Sequence, residues 1–169
     1  MDEKTPLFVK IIAILQILLV AVYFIYYAYI GIQWGFTERI LLDLISDSVY
    51  LLLIISSVGL LMKKTWSWWL TIILHSKLFL ANAIALAVVV LNIMAGTIAE
   101  TLQLNLFIAD IILLVLFLAM ISLFSSGYVR RLFKVEYSGT KLLFLVAISA
   151  IILYMIYFII MILSIDWFL

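Results

Sequence analysis

Five long apolar stretches joined by short polar connections constrain this chain more than any other feature. A hydrocarbon core about 30 Å thick is crossed by about 20 residues of helix. The stretches 7–30, 40–62, 66–95, 104–124 and 142–163 all meet that length. Composition agrees: 69% of residues are hydrophobic and 11% charged, and a soluble domain carries about a quarter charged residues. Mean hydropathy is +1.40. The connections "GIQWGFTER", "KKT", "GTIAETLQ" and "SSGYVRRLFKVEYSGTK" are short, so sequential helices are expected to be antiparallel neighbours. A closed barrel is excluded, because polar and apolar residues do not alternate. The expectation is an all-α, five-helix membrane bundle forming one domain over 1–169. The first apolar run exceeds a signal-peptide core and has no small-residue cleavage site after it, so it is read as a retained span.

Charge orients the bundle. Lys4, Lys10, Lys63, Lys64, Arg130, Arg131, Lys134 and Lys141 fall on one side of five spans, while Arg39 stands alone among basic residues on the other, with Glu38, Glu100 and Asp166. Basic residues gather on the cytoplasmic side, so the N-terminus is expected inside and the C-terminus outside. Trp66, Trp68 and Trp69 mark the inner interface, and Trp34 and Trp167 the outer one. The bias argues against dual topology, and no internal repeat is visible.

Within "SWWLTIILHSKLFLAN", His75, Lys77 and Asn82 interrupt the third span. At about 1.5 Å per residue, Lys77 lies about 12 Å below the tryptophans. A lysine there costs about 2.5–3.5 kcal/mol before any partner is counted. His75 and Lys77 are about 200° apart on a helix and face opposite sides. His75 shares a face with Asn82, and Lys77 more loosely with Asn92. Asp110 lies about two turns inside the fourth span, and Asp43 and Asp47 share a face of the second. The candidate charge network is therefore Lys77, Asp110, Asp47 and Asp43, with His75, Asn82, Asn92 and Gln16 as polar lining. Lys77 is the nearby cation for Asp110 or Asp47. In an alternative register the span begins near Leu78, and residues 66–77 lie on the inner surface with His75 and Lys77 in water.

Gln16, Tyr23, Tyr27 and Trp34 form a stripe along the first span, read as packing or interface. Ala81, Ala85 and Val88 form a small-residue stripe that makes the third span the central helix. The fifth span carries Tyr154 and Tyr157 but no ionisable residue in its middle, and reads as lipid- or oligomer-facing. No proline lies inside a span, so discontinuous helices are not expected.

Chemistry-bearing motifs are absent. No phosphate loop, dinucleotide fingerprint, zinc-protease motif or nucleophile elbow occurs. With no cysteine, disulfides, thiolate metal sites and cysteine nucleophiles are excluded, and one histidine leaves little for a metal site. No catalytic residue, metal or cofactor is expected, and the net charge of +1 does not point to nucleic acid. The segments "GLLMKKTWSWWL" and "LFSSGYVRRLFKVEY" resemble a pattern of small bacterial membrane proteins, a basic tryptophan-rich turn followed by a basic aromatic tail. That resemblance implies the bacterial cytoplasmic membrane. Two functions are expected. One is a non-catalytic subunit of a homo-oligomer or larger complex, with Arg130, Arg131 and Lys134 on a loop that contacts anionic lipid or a cytosolic partner. The other is a small ion or proton channel or carrier using Asp47, Asp110 and Lys77.

Overall fold

The computed structural model describes residues 6–96 and 107–168, with side chains to residue 165. Lys4, Glu100, the start of the fourth span and the side chains of Asp166 and Trp167 lie outside the described residues. The chain forms α1 (Leu7–Trp34), α2 (Glu38–Asp47), α3 (Val49–Leu61), α4 (Thr65–Met94), α5 (Ile108–Ser125), α6 (Gly127–Leu132) and α7 (Gly139–Phe168). No strand occurs among the described residues. α1, the α2–α3 pair, α4, α5 and α7 are each long and apolar enough to cross a membrane. Their outward faces are apolar as well: Leu19 is 69%, Ile32 76% and Val115 62% exposed. Contiguous exposed apolar surface of this kind requires an apolar surrounding or a partner.

The second span runs as one apolar length over Glu38–Leu61, with an irregular turn at Ser48, which itself keeps right-handed helical angles (φ -56°, ψ -20°). The irregularity is a serine rather than a proline or glycine. Ser48 Oγ donates to Ile45 O at 2.7 Å, and Ser48 N donates to the same carbonyl at 3.2 Å. The helix resumes when Leu51 N bonds Ser48 O at 3.0 Å. A serine side chain bonded back to the preceding turn competes with the backbone ladder and bends the helix, and such three-residue turns inside helices often mark functional hinges. Asp47 is the last residue of α2 and sits at this turn.

α4 is the hub, as expected, but its buried contacts come from Ser67 to Leu78 rather than from the small-residue stripe. α3, α5 and α7 all pack against it, α1 packs on α3, and α2 reaches α7. One core gathers Val9, Ala13, Leu60, Trp68, Ile72, Phe124, Phe133, Leu142 and Val146; a second gathers Val20, Val49, Leu53, Leu74, Leu78 and Phe117. α7 is thus one-sided rather than wholly peripheral: Leu142, Val146 and Ala150 are buried while Leu143, Phe144 and Ile152 face outward. At the α3–α4 turn the helices touch through glycine. A Cβ on Gly59 would stand 2.5 Å from Ser67 Cβ.

The two basic turns share one geometry. Lys64 N bonds Gly59 O at 3.0 Å and Lys63 N bonds Leu60 O; Val135 N bonds Arg130 O at 2.9 Å and Lys134 N bonds Arg131 O. Both are paired C-terminal caps in which the left-handed position is a lysine, with φ 53° at Lys63 and 56° at Lys134. Glycine is the usual occupant there, and a residue with a Cβ costs about 1–2 kcal/mol. The segment after α5 is not simply a solvated loop. Ser126 caps α6 by accepting from Val129 N, and Val129, Phe133 and Val135 are buried in the first core. Thr65 Oγ1 donates to Phe133 O at 3.0 Å, which ties the two basic turns together.

Candidate functional site

α4 carries two polar clusters on opposite faces, with His75 at the centre of one and Lys77 at the centre of the other. Both residues are buried in the protein, His75 at 4% and Lys77 at 7% exposure, within one continuous helix. Neither side chain therefore lies on the protein surface, as the register with 66–77 on the inner surface would require.

The His75 cluster is closed. Ser57 Oγ donates to Gln16 Oε1 at 2.7 Å, which turns the Gln16 amide nitrogen toward His75 Nε2 at 3.2 Å. His75 Nδ1 is 2.8 Å from Thr71 O, a carbonyl that only accepts. The consistent assignment is a neutral imidazole with its proton on Nδ1 and Nε2 accepting from Gln16. Thr71 Oγ1 in turn donates to Ser67 O at 2.7 Å. Every polar side chain in this cluster has a partner, and Phe117 packs edge-on to the imidazole at 6.2 Å between centroids. Such a network fixes the positions of α1, α3 and α4 and leaves no group free for chemistry.

The Lys77 cluster is open. A cavity of about 230 Å³ lies between α2, α3, α4 and α5, lined by Asp47, Tyr50, Lys77, Ala81, Asn82 and Phe117 among others. Asp47 accepts a hydrogen bond from the hydroxyl of Tyr23. Tyr23 packs at a tilt against Tyr27, with centroids 4.8 Å apart, and meets Tyr50 edge-on at 5.5 Å. Across the cavity, Lys77 Nζ stands 4.8 Å from the ring centroid of Tyr157, a cation–π contact contributed by α7. Asp47 and Lys77 attract each other electrostatically, yet among the described residues Lys77 has no carboxylate within 4.0 Å and no hydrogen-bond acceptor. Ala81 and Ala85, expected to bring helices close, instead line this cavity and leave its space.

The remaining candidates separate from this pair. Asp110 lies in the first turn of α5 (Ile108–Ser125), where a carboxylate benefits from the helix N-terminus. It forms no ion pair with Lys77; Asn82 Nδ2 donates to its backbone carbonyl at 2.9 Å. Asn82 thus faces the cavity and α5 rather than joining His75. Asp43 is one turn from Asp47 and within range of its charge, but outside the cavity lining. Asn92 lies near the end of α4, also outside the lining. Arg130 turns back on its own segment, donating to Tyr137 O, with its Nε buried. Arg131 Nε bonds Gly127 O at 3.2 Å, and Lys134 is exposed. No group of three or more His, Asp or Glu among the described residues forms a candidate metal site.

Several contributors were not singled out as site residues from sequence, among them Tyr23, Tyr50, Thr71, Ser57, Ser46 and Tyr157. Ser57 and Ser46 carry a signal as hydroxyls within an apolar span. Tyr157 carries none, since aromatics at helical spacing are ordinary packing. Comparison with protein-family models, curated proteins and solved structures finds no match for this chain.

Proposed function

We propose that this is a five-pass membrane protein, N-terminus cytoplasmic, that carries or conducts a small polar solute through the Asp47–Lys77 cavity. The observation behind this reading is a cavity inside the helices that both Asp47 and Lys77 line without closing into a direct ion pair. Ionisable residues that face a cavity within membrane spans mark solute and ion paths. The orientation rests on the basic residues at one end. The bacterial cytoplasmic membrane is the location that fits it. No catalytic step and no cofactor enters this reading.

The test is solute permeation in vesicles. Protein reconstituted into liposomes and shocked with small polar solutes is expected to speed their re-swelling by light scattering. Asp47→Asn and Lys77→Met are expected to abolish the effect, and Thr65→Ala, remote from the cavity, to keep it. Permeation equal to that of empty vesicles for every solute would overturn the proposal.

A second reading, a subunit of a homo-oligomer or larger membrane complex, is favoured by the outward face of α5. There Ile112, Val115, Leu116 and Ala119 line an open apolar groove. Cross-linking through an engineered cysteine at Ala119 is expected to trap a dimer on this reading, and only monomer in lipid discs would count against it.

A further inference from the structure

We propose that the cavity takes a small zwitterion, with the ligand's ammonium on the Asp47 carboxylate and its anionic group on the Lys77 ammonium. The inference deepens the transport reading and rests on it for access to the site.

Two opposite charges in a low-dielectric interior attract strongly and ordinarily close into a direct pair. Here they line one cavity without meeting, and each keeps vacant bonding capacity of the opposite kind. Asp47 spends Oδ2 on the Tyr23 hydroxyl and leaves Oδ1 without a partner among the described residues. Lys77 rests against the Tyr157 ring and leaves its N–H donors without an acceptor. Asn82 uses its amide nitrogen on Asp110 O, so its carbonyl oxygen is available to a second ligand donor. The lining thus asks for one cationic and one anionic group on the same molecule. A lone cation would satisfy Asp47 and leave Lys77 facing it, and a lone anion would do the reverse. Asp43 stands outside the lining, so the cavity wall itself presents one carboxylate and one ammonium.

Size narrows the class. The volume of about 230 Å³ falls below the roughly 300–1,000 Å³ of drug-sized sites. A short α- or β-amino acid fits, with Ala81 in the lining.

The protein in lipid nanodiscs is titrated with glycine, ethylammonium and propionate, which carry both charges, the cation alone and the anion alone. Binding is followed by calorimetry and by the rise in unfolding temperature. Glycine is expected to bind at least about tenfold more tightly than either single-charge probe. Its binding is expected to be lost in Asp47→Asn, in Lys77→Met and in Ala81→Leu, which keeps both charges and fills the space. Equal binding of ethylammonium or propionate, no binding of glycine, or glycine binding that survives all three substitutions would overturn the inference. Ethylammonium that binds alone and also permeates vesicles would retire the zwitterion and leave the transport reading. Glycine that binds without any solute permeating would retire transport and leave the site.

Discussion

His75 and Lys77 stand two residues apart on one helix, and they meet opposite fates. The histidine is enclosed by Gln16, Ser57 and Thr71 with both ring nitrogens engaged. The lysine borders an open cavity with only a tyrosine ring against its charge. The difference shows that a polar residue in an apolar helix is not by itself a functional signal. What separates scaffold from site is whether its hydrogen-bonding capacity is used up.

The comparison breaks most sharply through Gln16. Gln16→Ala strands both the Ser57 hydroxyl and His75 Nε2, each at about 1–3 kcal/mol, so unfolding in micelles should show a loss of about 2–6 kcal/mol with little direct effect on solute binding. Lys77→Met should do the reverse, with a smaller stability change and complete loss of permeation. If Lys77→Met proves the more destabilising of the two, the lysine belongs to the scaffold.

Packing gives a contrast of intermediate size. Gly59→Ala drives a methyl into Ser67 and should cost about 1–3 kcal/mol. Ala81→Leu enters open space and should cost less than that, read by the same unfolding curves. A double-mutant cycle then sharpens the charge assignment. Lys77→Met with Asp47→Asn should deviate from additivity, whereas Lys77→Met with Asp110→Asn should add to within about 0.5 kcal/mol. Coupling to Asp110 instead would move the site to α5. The smallest effect is expected for Asp110→Asn alone. It removes a first-turn charge worth about 0.3–1 kcal/mol, visible as a slightly lowered unfolding temperature.

The sequence makes part of this legible. Length and apolarity define the spans, because crossing a bilayer imposes a minimum run, and the 100° step of a helix already sends His75 and Lys77 to opposite sides. The choice of Asp47 over Asp110 as the lysine's counterpart was not legible. It depends on where α5 starts and on how α2 departs from α3, and both are tertiary facts. The irregular turn at Ser48 is hidden because serine bends a helix only when its hydroxyl turns back on the preceding turn, an option any serine has. The Gln16–Ser57–His75 contact joins three helices, and nothing local in any of them encodes the others. Val129, Phe133 and Val135 read as a loop alternating with basic residues until α6 folds them into the core.

The central claim is that water and solute reach the Lys77 side of α4 while the His75 side stays dry. The chain has no cysteine, so single substitutions report without background. Ser46 lines the cavity and Ser57 belongs to the closed network, and both lie on the α2–α3 span. Ser46→Cys and Ser57→Cys in sealed vesicles are to be treated with a small, charged, membrane-impermeant thiol reagent, and labelling followed by mass. Modification of Ser46→Cys with Ser57→Cys left intact is the predicted result; equal labelling of both, or of neither, would contradict the account.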